Sequence, residues 1–250
     1  MNLIWQGCAS RSALHVAWCR QHFPSNVKHL APELCWAADS FCAAVTGTTA
    51  WNQWFVAAAF ESAEWQKLLA EFHSQYPDFV EQIALRCGPI QQMWEAQGPG
   101  LMFQLRSLTG LERLPESTSL YLVQPVLGGA GMAYQADTPA MHLEAVLANE
   151  DPRLPETLRL AWLYAQVAWN AQTNPTGAQN AETTTRLGTS LIPPVLTAAE
   201  ELGLTYCSPE LTHAALTRWM PLEQEVLLSE HPNFAEELWN QWSREGWKPD

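Results

Sequence analysis

Hydrophobic positions along this chain keep one spacing up to about residue 110, change it between 119 and 147, and return to it from 155 onward. The first regime is helical. Residues 2–23 read as a helix with Leu3, Leu14, Val16 and Trp18 as its apolar positions, and after a break from Pro24 to Pro32 the apolar run Glu33 to Thr46 suits a buried helix that stops near Gly47. Thr49 to Tyr76 carries Trp51, Trp54, Phe55, Phe60, Trp65, Leu68, Leu69 and Phe72 at helical spacing. Asp78 suits the N-cap of a following helix through Ile83 and Cys87, which Gly88-Pro89 interrupts. Ile90 to Gln97 resumes it and closes at Gly98-Pro99, and Leu101 to Leu108 ends at Gly110.

The second regime organises the rest. Leu120 to Leu127 is rich in Leu, Val and Tyr and reads as a largely buried strand, with Pro125 placing it at an edge or a bulge. Gly128, Gly129 and Gly131 supply a tight reversal. From Pro139 to Leu147 the positions alternate, with Met141, Leu143, Ala145 and Leu147 on one face and His142, Glu144 and Val146 on the other. A helix then opens at Pro155, with Glu156 at the positive end of its dipole. Glu156, Arg159, Leu163, Gln166 and Asn170 fall on one narrow stripe of that helix, and Leu158, Leu160, Ala161, Trp162, Ala165, Val167 and Trp169 cover the rest. Such a stripe is expected to face water or a cleft.

The order of strand, glycine turn, edge strand and buried helix beginning LPETLRLAWLYAQ resembles zincin-type metallopeptidases, and uncharacterised bacterial proteins that carry the same block. In that family the corresponding helix bears His-Glu-x-x-His, which sets two imidazoles one turn apart with a glutamate beside the zinc-bound water. Arg159, Leu160 and Leu163 stand in those places here, and no His-Glu-x-x-His occurs in the chain. The resemblance therefore implies a metallopeptidase-like fold without its metal.

Beyond that helix, Gln172 to Ser190 is polar and rich in Gly, Thr and Asn, as in a long loop. Pro193-Pro194 opens a helix to Leu202 with Gly203 as its stop, Leu204 to Cys207 suits a short strand, and Ser208-Pro209 caps a helix to Trp219. A final helix after Pro232 places Phe234, Leu238, Trp239 and Trp242 on one face and ends at Gly246. The fold class these elements predict is α+β, predominantly helical, with a small sheet over about 119–147 packed on a buried helix over about 155–170. One domain of 250 residues accommodates it, with a helical N-terminal part over 1–110 and an α+β part over 111–250.

Charge narrows the partners. Twenty-six acidic residues against 13 basic ones give a net charge of −13, and the only lysines are Lys28, Lys67 and Lys248. Nucleic acids and anionic membranes draw affinity from Lys and Arg, so neither is expected as a partner. No apolar run is long enough to span a bilayer, and MNLIWQGCAS has no basic leader region, so a cytoplasmic location is expected. The six cysteines form no Cys-x-x-Cys and read as reduced.

Candidate chemistry is sparse. His142 and Glu144, two apart on a strand, have the residue types for an acid–base pair, to which Arg159 on the facing helix would add a positive charge. His15 and His22 are two turns apart but lack a third ligand. Among 13 tryptophans, Trp239, Trp242 and Trp247 crowd one end of the chain and need covering, by the protein's own body or by a partner. The Gly-x-Ser-x-Gly elbow, the phosphate-binding loop and the dinucleotide fingerprint are all missing and no His, Cys or acid cluster has zinc spacing, so no cofactor and no metal are expected. Two functions remain: a non-catalytic scaffold that binds a protein partner or itself, or a hydrolase whose site is assembled around His142, Glu144 and Arg159.

Overall fold

In the computed structural model, residues 2–6, 63–123, 131–135, 139–144, 151–173, 181–220, 227–229 and 231–247 are described. Positions 7–23 of the helix expected over 2–23, the helix expected over 33–46, the start of the one expected over 49–76, and His15 and His22 lie outside these residues. So do Pro125, Gly128 and Gly129. The described chain is mostly helical.

Its first elements depart from the sequence reading. Asn2–Gln6 is a strand, β1, where a helix was expected. It pairs in parallel with residues more than a hundred positions away, a partner that local periodicity cannot reveal. Ala63–Thr109 is then one helix, α1, with no break at Gly88-Pro89 or Gly98-Pro99. Ile90, Trp94, Leu101, Met102 and Leu105 bury one face, while Pro89 and Pro99 lie on the exposed face. A proline removes the donor owed to the carbonyl four residues back, here those of Leu85 and Glu95. Both residues are themselves exposed, so water can take the place of the missing N–H. Packing along the opposite face then outweighs the local penalty.

β2 (Ser117–Val123), β3 (Gly131–Gln135) and β4 (Pro139–Glu144) complete a sheet of order β1-β2-β4-β3. β1 and β2 are parallel, as are β2 and β4, with Leu120 opposite Met141 and Leu122 opposite Leu143. β3 runs antiparallel to β4, pairing Ala133 with Met141. Gly131, the one described glycine of the expected reversal, begins a third strand that the sequence did not predict. Leu120, Leu122, Ala133, Met141 and Leu143 are buried to 1% exposure or less, which fixes the register because a slip of one residue would turn them outward.

α2 (Glu156–Thr173) begins immediately after Pro155, whose carbonyl accepts from Leu158 N at 2.9 Å. It packs against β3 and β4 on one side and against α1 on another. Fourteen of its residues are buried, including the polar stripe that was expected to meet water or a cleft. Trp162 shows how tightly it is enclosed: its indole N–H donates to Gly188 O at 2.7 Å, and its ring lies 5.4 Å from that of Trp219.

The expected long loop over 172–190 is in part a helix, α3 (Ala181–Ser190), held by buried Leu187 and by the approach of Trp162 and Met220 to Gly188. α4 (Ile192–Glu201) starts with prolines in its first turn, and Gly203, at φ 67°, supplies its left-handed stop. Leu204 to Cys207 is not a strand; it is the connection into α5 (Pro209–Trp219). There Ser208 Oγ accepts from Leu211 N at 3.1 Å as the N-cap. α6 (Phe234–Glu245) lies against α4 and α5 and exposes its acidic side, Glu236 and Glu237 included.

Candidate functional site

The sequence places Arg159 one turn into α2 and Glu156 three residues before it, a spacing that brings two helical side chains together. The structure adds Glu144, the last residue of β4, from the other side. Arg159 Nη2 donates to the Glu144 carbonyl at 2.7 Å and forms an ion pair with Glu156 Oε2. All three residues are buried, Glu144 completely and Arg159 to 2% exposure. Charges removed from water are held only where geometry and hydrogen bonds compensate, and the guanidinium fork of arginine suits two acceptors at once. The cluster therefore works as a clamp between the end of β4 and the first turn of α2.

Neighbouring polar side chains on α2 are also tied down. Thr157 donates to Gln97 Oε1 at 2.7 Å and fixes α2 to α1. Tyr164 OH donates to Pro115 O at 3.0 Å, and burial pushes its phenol above its ordinary range. Further along the stripe Leu163 is fully buried, Gln166 Nε2 donates to Trp162 O at 3.5 Å, and Asn170 Nδ2 has no hydrogen-bond partner among the described residues. In the places where the resemblance would put a zinc-binding motif stand the clamped Arg159 and two fully buried leucines, Leu160 and Leu163.

Of the residues singled out from sequence, Arg159 and Glu144 are brought together, through a backbone carbonyl. His142 pairs in register with Tyr121 and with Met132, while its imidazole lies outside the described side chains. Glu156, read as a dipole-stabilising acid, is also the ion-pair partner of Arg159, and the three-residue spacing was the clue to it. Thr157 and Tyr164 gave no such clue, because their partners lie 60 and 49 residues away.

The C-terminal tryptophans turn toward the protein's own body. Trp242 donates to Thr197 Oγ1 at 2.9 Å, and Trp247 donates to Ser190 Oγ at 3.4 Å while its ring stands edge-on to Trp169. Trp239 is half-buried. On the surface ahead of α2, the Arg153 guanidinium holds the Asp151 carboxyl down to about 2 through a hydrogen bond of 2.6 Å, and Tyr206 joins Asp151 in raising the Arg153 value.

Compared with protein-family models, with curated proteins and with solved structures, the chain gives no significant match. Among the described residues no helix is long and apolar enough to cross a membrane.

Proposed function

We propose that this protein is a non-catalytic scaffold that binds a protein partner or a second copy of itself, built on a metallopeptidase-like fold that holds no metal. The observation that carries this reading is the state of Arg159: its guanidinium is buried, paired with Glu156 and bonded to the Glu144 carbonyl. A group that stabilises charge on a substrate must present its donors to that substrate. Arg159 turns its Nη2 to its own fold, and the side chains of Leu160 and Leu163 have no atom that binds a metal. A hydrolase built on Glu144 and Arg159 would have to open this clamp before each turnover. A cytoplasmic location and partners other than nucleic acid or membrane accompany the scaffold reading, in keeping with the net charge of −13.

The test combines elemental analysis of the purified full chain with a panel of peptidase and esterase substrates. The scaffold reading expects metal well below one equivalent and no turnover above buffer. About one equivalent of zinc, together with a hydrolytic activity that a chelator abolishes, would overturn it. A metal-independent hydrolysis lost in Arg159→Lys would favour the dispersed site around His142, Glu144 and Arg159.

A further inference from the structure

We draw no further inference here: the strongest candidate, the exposed stripe of Leu85, Pro89, Ala96, Pro99 and Phe103 along α1, is an apolar helix face for which nothing in the structure shows what covers it.

Discussion

Arg159 Nη2 meets the backbone carbonyl of Glu144 at 2.7 Å, so that a helix and the strand it packs on share one buried cation. Removing one partner of a buried ion pair leaves the other charged in a dry setting, at a cost of about 3–5 kcal/mol. Arg159→Met is expected to lower the unfolding free energy by that amount, measured by urea denaturation. Replacing Glu156 as well, in Arg159→Met/Glu156→Leu, removes the stranded carboxylate and should recover part of the loss. Equal stability of Arg159→Met and the parent would mean that the guanidinium does not brace the fold, and would reopen the case for a charge held ready for a substrate.

Gly98 explains why a Gly-Pro pair can look like a helix stop and yet lie inside a helix. A methyl group added at Gly98 would lie 2.5 Å from Trp94 Cδ2, whereas one added at Gly88 meets nothing within 4 Å. Both glycines precede a proline, so the resistance of a Cβ to helical backbone at that position is common to the two. Alanine also gains about 1 kcal/mol over glycine in a helix. Overpacking against a buried indole costs about 1–3 kcal/mol. Gly98→Ala should therefore be less stable than Gly88→Ala by about 1–3 kcal/mol in parallel thermal or urea unfolding, with the Trp94 environment altered in near-ultraviolet circular dichroism. Indistinguishable variants would show that Trp94 moves aside at no cost.

The same contrast marks how much of the fold was legible. Where a helix end depends on residues adjacent in the chain, as at Ser208-Pro209 and Gly203, local chemistry is enough. Where neighbours come from elsewhere, it is not. Pro89 and Pro99 read as breaks because the packing of Ile90, Trp94 and Leu101 on the opposite face is a tertiary fact. Asn2 to Gln6 gives no sign that Ser117 to Tyr121 will pair with it. Periodicity identified the stripe from Glu156 to Asn170 but not what lies against it. A polar stripe can be buried when strand ends supply acceptors, and Glu144 supplies one through its backbone, whatever its side chain.

Trp247 and Trp169 stand with ring centroids 4.5 Å apart and planes at 83°, an edge-to-face pair that fastens the residue after Gly246 to the end of α2. Aromatic pairs of this kind contribute about 0.5–1.5 kcal/mol beyond the area they bury. Trp247→Ala is expected to destabilise the protein by about 2 kcal/mol, and Trp242→Phe, which forfeits the hydrogen bond to Thr197, by about 1 kcal/mol. Calorimetric unfolding of the two variants checks both values. If unfolding is unchanged while binding of a partner is lost, the terminal tryptophans serve a surface and not the core.

Thr197 Oγ1, which accepts from Trp242, also lies 3.7 Å from Cys207 Sγ. Burial pushes the Cys207 thiol up to about 12 and the nearby Glu200 carboxylate adds to the rise, while the Thr197 contact opposes them. A raised value means that the folded chain holds the proton more tightly than the unfolded one. The associated stability is fully present below the unfolded thiol's value of about 8.5 and is lost as pH climbs from there toward about 12. Reactivity follows from the same shift. At pH 8 a thiol with a value of about 12 is ionised in roughly one molecule in ten thousand, against about a quarter for an unperturbed cysteine, and only the thiolate attacks an alkylating agent. Iodoacetamide at pH 8 should therefore label Cys207 in the native protein roughly a thousandfold more slowly than after unfolding in urea, read by mass spectrometry of the peptide that contains it. Labelling at the rate of an ordinary thiol would place Cys207 in water, and would remove the packing against Thr197 on which the position of Trp242 also depends.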